Sequence, residues 1–319
     1  MGGSKGVQSS MSVTRKLACS LCISVFFLLN LFWLEDSARP GEAAAQPAQK
    51  AAPAQRAPQA APQATQAAPV QNMQQQRIQP EAAFALMAGE AEKGSAAAML
   101  TLGQFYEQGV GIARNYSKAL EWYEKAAKAG QAEGFYNLGV CYEIGMGAAA
   151  DAAKALQNFQ RAADMGLPIA MNKLASMFIS GNGAARDTAK GISWLDKAAN
   201  AGVAAAANDL GAIHLAGLLG QKKDEKKALS MFMKAADLGN LEAIRNVAAM
   251  HKDGIGTRAD PALAYLWYSI ARRGGYTGED VVRMLGLLEG SLSTAQVQQA
   301  QKDADAWIEN FAKRQAGRQ

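Results

Sequence analysis

The chain has 319 residues, 49% of them hydrophobic, enough for a sizeable core, and carries 33 basic against 28 acidic side chains. The surplus is concentrated at one end: residues 1–80 hold seven basic and three acidic side chains, which leaves 26 against 25 for residues 81–319. A near-neutral body excludes the electrostatic footprint of a nucleic-acid-binding protein, and Cys141, the only thiol beyond residue 22, excludes a disulfide framework.

Residues 1–16 are a basic lead-in ending in Arg15-Lys16, and Leu17 to Leu34 is an uncharged apolar run closed by Glu35-Asp36. Basic before and acidic after predicts that the N-terminus stays in the cytoplasm and the rest crosses the membrane. The run is long for a signal peptide, at ~7–15 apolar residues, and short for a span, at ~20. Two readings stay open: an uncleaved inner-membrane anchor, or a signal cleaved near Ala38 or Ala43–Ala45. Neither Cys19 nor Cys22 sits in a lipoprotein context. Residues 35–80 follow as an Ala/Pro/Gln linker, with seven of the nine prolines between Pro40 and Pro80 and no aromatic residue between Trp33 and Phe84. Such composition buries too little apolar area to offset ordering entropy, and predicts a disordered tether.

From residue 81 the sequence repeats. Gly94, Gly130, Gly166, Gly202, Gly239 and Gly275 recur at steps of 36, 36, 36, 37 and 36. Paired glycines keep the register at Gly109/Gly111, Gly145/Gly147, Gly181/Gly183 and Gly254/Gly256; Gly217 and Gly220 flank two leucines where the fourth unit has its extra residue. The predicted units are 95–130, 131–166, 167–202, 203–239 and 240–275. Each reads as two helices. Asn115, Asp151, Asp187, Asp224 and Asp260 stand where an N-cap is needed, and Pro261 suits a first helical position. The second helices carry Trp122-Tyr123, Asn158-Phe159, Trp194-Leu195, Met231-Phe232 and Trp267-Tyr268. One such pair cannot bury its own apolar face, so the units must stack. Residues 81–93 read as an N-terminal half unit, and residues 276–319 as C-terminal capping helices. Ser293 and Gln296 form a capping box ahead of Ala300, Ala304, Trp307 and Phe311 at helical spacing. The fold class is all-α: an α/α superhelical solenoid of about five helix pairs with capping helices.

The columns Leu102-Gly103, Tyr106, Gly109-x-Gly111, Lys118-Ala119, Trp122-Tyr123, Lys125-Ala126-Ala127 and Gly130 resemble the Sel1-like repeat family, relatives of the tetratricopeptide repeats. The likeness covers about residues 81–312. It implies an adaptor or regulator within a protein complex, and no reaction. Some periplasmic members of the family restrain a membrane sensor kinase, a fold-level analogy only.

Chemistry-bearing residues are few. His214 and His251, the only histidines, fall in the column of Tyr106, Tyr142 and Phe178, which predicts packing and no metal. Cys141 shares a column with Phe105, Met177, Ile213 and Met250 and reads as a small buried hydrophobe. A cysteine-rich branch of the family is described as β-lactamases. It needs paired cysteines in each repeat, and a class A enzyme needs Ser-x-x-Lys; serines such as Ser193 have no lysine three places on. A cell-envelope hydrolase is therefore the disfavoured rival, with no catalytic residue and no cofactor expected. The run Lys222 to Lys227 reads as a solvated surface, with contact to an anionic partner as the alternative. Positions expected to escape packing lie on the first helices: Thr101, Gln104, Tyr136, Asn137, Asn172, Lys173, Asn208, Asp209, Arg245 and Asn246. Amides, a phenol and mixed charges there suit a protein or peptide partner; an ordinary wet helix face is the alternative.

Overall fold

The computed structural model describes residues 79–317. By contacts the chain divides into Met1–Gln79 and Pro80–Gln319; every described helix belongs to the second unit. The expectations for residues 1–16, 17–34 and nearly all of the linker lie outside the described residues. Among the described residues no helix is long and apolar enough to cross a membrane.

Thirteen helices follow one another, with no strand among the described residues. A half unit, α1 (Pro80–Glu92), precedes five pairs: α2 (Ala96–Gln108) with α3 (Tyr116–Lys128), α4 (Ala132–Ile144) with α5 (Ala152–Asp164), α6 (Pro168–Ser180) with α7 (Thr188–Asn200), α8 (Ala204–Ala216) with α9 (Glu225–Asp237), and α10 (Leu241–Asp253) with α11 (Pro261–Arg273). Then come α12 (Glu279–Glu289) and the long α13 (Thr294–Ala316). Each helix up to α12 packs on its neighbours in sequence; α13 packs on α11, where α11 already holds α12. The result is the all-α superhelical repeat that the glycine register predicts.

The hairpin inside each repeat closes the same way five times. The side chains of Asn115, Asp151, Asp187, Asp224 and Asp260 each accept the N–H of the residue three places on. Their own N–H groups donate back to the carbonyls of Tyr106, Tyr142, Phe178, His214 and His251, at 2.7–2.8 Å. The aromatic column thus fixes the loop through its backbone while its side chains pack. Lys118, Lys154 and Lys190 lie over the rings of Tyr106, Tyr142 and Phe178.

Two glycine columns set how closely helices approach. Gly103, Gly139 and Gly211 leave room for the rings of Tyr123, Phe159 and Phe232: a Cβ there would come within 2.4–2.7 Å of the ring. Gly111, Gly147, Gly183 and Gly256 rest on the first helical carbonyl of the preceding second helix, those of Pro80, Tyr116, Ala152 and Glu225. All four also have positive φ, so no other residue serves both demands. Repeat four breaks the pattern: Leu219, at φ 55, is the only described non-glycine residue with positive φ.

Both ends are closed as the sequence suggests. Phe84 of α1 packs edge-on to Tyr106. Ser293 and Gln296 form the reciprocal capping box that starts α13.

Candidate interaction surfaces

The first helices of adjacent repeats meet through polar side chains. Lys173 on α6 bridges to Glu143 on α4 at 2.9 Å. Asn246 on α10 donates to Asn208 on α8 at 3.4 Å, a long bond. Arg245 is held by Asp280 of α12 at 2.6 Å and donates to Asn246 as well. Tyr136 packs against Phe159, and burial together with the Glu143 charge pushes its phenol up. Thr101 turns its hydroxyl back to the Ala97 carbonyl, Asn137 is partly buried, and Gln104 is exposed.

This differs in part from the expectation that these columns escape packing. Asn208 and Asn246 are 7% and 5% exposed. Their polarity is consumed by each other and by Arg245, because a buried amide must find a partner inside. Lys173 and Arg245 are likewise committed to carboxylates. Sequence reasoning missed those carboxylates, Glu143 and Asp280; the only signal was opposite charge at a spacing near one repeat.

Two of the expected surface positions remain uncommitted, and so does the buried Nδ1 of His251. Asn172 Oδ1 is buried and has no hydrogen-bond partner among the described residues. Asp209 stands, relative to Asn172, in the register that Asn246 holds relative to Asn208. Two amides can pair there, but an ionised carboxylate in that register offers an amide oxygen no donor. Burial and then the charge of Glu242 push the Asp209 carboxyl up to about 7.

His214 and His251 are buried, 4% and 8% exposed, as their column requires. Burial lowers both pKa values; the Lys227 charge adds to this at His214, while Asp260 acts the other way at His251. Cys141 is fully buried, its thiol pushed up to about 12 by burial and then by the Glu107 charge. A thiol so far from ionising is no nucleophile. Among the described residues no group of three His, Cys, Asp or Glu side chains could hold a metal. Lys222, Lys223, Lys226 and Lys227 are exposed.

The family model described as Sel1 repeat matches residues 96–131, 132–167, 168–203, 204–240 and 241–276. The chain belongs to the Sel1 repeat family. The matched units lie one residue beyond the boundaries read from the glycines. A Sel1 repeat protein from Oxalobacter formigenes shares the fold at TM-score 0.56 and 30% identity, over 61% of this chain and 80% of that one. Further structures align more loosely. One is the uropathogenic Escherichia coli protective antigen c5321 (TM-score 0.46, 24% identity, 75% of this chain and 59% of that one). Another is Helicobacter pylori cysteine rich protein B (TM-score 0.36, 19% identity, 41% and 96%). No curated protein sequence matches the chain. Sel1 repeat proteins generally mediate protein–protein interactions, and the Sel1 scaffold is typically non-catalytic.

Proposed function

We propose that this Sel1 chain is a non-enzymatic scaffold of the bacterial cell envelope, binding a protein or peptide segment across the first helices of repeats two to five. One observation carries the reading: Asn172 Oδ1 is a buried acceptor with no hydrogen-bond partner among the described residues, and one repeat on Asp209 sits buried near the like charge of Glu242. A partner presenting main-chain N–H groups and a basic side chain would satisfy both. The test is photo-crosslinking in cells from Tyr136, with Gln157, exposed on α5, as the control site. A partner captured from Tyr136 and lost on Glu242→Lys supports the scaffold reading. Equal capture from Gln157, or turnover of cell-wall or β-lactam substrates by the purified chain, defeats it.

The envelope location rests on the charge asymmetry around residues 17–34. A reporter active only in the periplasm, fused after Gln319, should be active; an inactive fusion returns the chain to the cytoplasm. N-terminal sequencing separates an anchor from a cleaved signal.

A further inference from the structure

A second surface is built from second helices and shares no lining residue with the first-helix positions. The second helices α7 and α9 enclose an open groove of about 700 Å³. Leu229, Met233 and Leu238 line it together with Asp237, Lys226 and Lys234, and Lys234 donates to Asn200 Oδ1 at 2.7 Å. Met233 is 41% exposed. The same position in other repeats is Glu124, Gln160, Asp196 and Ser269. Repeat four alone puts an apolar side chain there.

One repeat further on, the equivalent groove is filled by the protein itself. Gly202, Leu229 and Asp237 of the groove correspond to Gly239, Tyr265 and Arg273. All three are contacted by α13. The Phe311 ring covers Gly239, Gln301 donates to the Tyr265 hydroxyl at 3.1 Å, and Asp305 pairs with Arg273. Trp307 also meets Trp267 edge-on. The coverage shows in burial: Ser269, the counterpart of Met233, is 5% exposed. No described atom lies within 4 Å of a Cβ built on Gly202.

We propose that the α7–α9 groove docks an amphipathic helix of a partner protein, apolar along one stripe and acidic beside it. The in-chain α13 shows that a groove of this construction takes a helix, with an aromatic side chain seated on the repeat glycine. Lys226 and Lys234, where repeat five has Ala262 and Ile270, outweigh Asp237 in the lining and leave the groove net positive, which favours acidic residues in the partner. A second copy cannot supply its own α13 without opening its cap, since Val297, Ala300 and Ala304 are already buried. Residues 40–80, with seven prolines, are a poor source of an uninterrupted helix.

The probe is a fluorescent peptide with the sequence of residues 294–316, which carries Asp303, Asp305 and Glu309 beside its apolar stripe. Fluorescence anisotropy with the full chain should give saturable binding. Met233→Glu, which installs the residue type of Glu124 and so preserves the fold, should weaken it about tenfold or more, as loss of a central contact does. Lys234→Glu should weaken it too, and Ile169→Glu, at an exposed apolar site on α6, should not. Circular dichroism melting checks that each variant is folded. Absence of saturable binding overturns the proposal. So does binding indifferent to Met233→Glu, which would mean that the peptide exchanges with α13 on α11. Met233-dependent self-association in sedimentation velocity, without peptide, would assign the groove to a second copy, as through the exposed Val282 and Leu287 of α12. None of these outcomes bears on Glu242 or the first-helix face.

Discussion

Repeats two and four build the same helix hairpin and differ in how the loop between its helices meets the preceding repeat. In repeat two, Gly147 lies against the Tyr116 carbonyl, so close that a Cβ would stand 2.3 Å from the oxygen. In repeat four, Leu219 takes a left-handed φ and Gly220 has no described neighbour within 4 Å of a built Cβ. Both hairpins nevertheless close on the same bond, from the capping aspartate N–H to the carbonyl of Tyr142 or His214. Capping therefore makes the hairpin, and the loop glycine governs how one hairpin stacks on the last.

The largest expected effect tests that division. Gly147→Ala adds a left-handed penalty and a clash with backbone that cannot rotate away, and should cost about 3 kcal/mol or more. Leu219→Gly removes a strained φ and exposes little, and should change stability by about 1 kcal/mol or less, in the favourable direction. Chemical denaturation of both variants checks this. Comparable losses at the two sites would mean that repeat four stacks as repeat two does.

The second prediction concerns the aromatic column. His214→Ala and His251→Ala remove buried side chains and should cost about 2–4 kcal/mol. His214→Tyr restores the residue of repeats one and two and brings a ring beneath Lys227, as Tyr142 lies beneath Lys154. It should be nearly neutral, with ~0.5–1 kcal/mol available from the cation over the ring. Thermal melts with and without EDTA decide it: a chelator effect on the wild type, or a tyrosine variant as damaged as the alanine one, would reopen a metal role.

The smallest effect separates the two polar registers of the first-helix face. The folded-state pKa of Asp209 is raised to about 7. Its favourable contribution is therefore complete below the unfolded-state value of ~3.9 and is lost as pH rises to about 7. Asp209→Asn should stabilise the chain at pH 8 by on the order of 1 kcal/mol and flatten that slope. The histidines work the other way: their lowered pKa values give stability that is present above ~6.5 and lost as pH falls through it. Urea titrations between pH 4 and 8 read both. If Asp209→Asn leaves the slope unchanged, the carboxylate is not desolvated as its surroundings require.

Much of the fold is legible because backbone demands leave few choices of residue. Gly94 through Gly275, the five capping residues and the Ser293–Gln296 box each answer a local requirement, so their spacing reveals the helices. The interaction surfaces are less legible. Asn208 and Asn246 read as surface residues because they are polar, yet both are buried, Asn246 donating to Asn208 across a repeat boundary and accepting from Arg245. Trp307 and Phe311 announce an apolar stripe on α13 without saying which face it covers. Gly202 and Gly239 are one letter in one column, and only the fold reveals that Phe311 sits on the second.

The reach of α13 also has a mechanical consequence. In a stack whose units couple only to neighbours, an end can fray one unit at a time. Phe311 on Gly239 and Trp307 on Trp267 fasten repeats four and five with a single strap. Peeling from the C-terminal side must therefore detach that strap before repeat five can come away, while α1 at the other end packs, among the described residues, on repeat one through α2, Gly111 and Trp122. Under tension, or during native-state hydrogen exchange, the stack opens first from the α1 end, and its last two repeats come apart as a single unit.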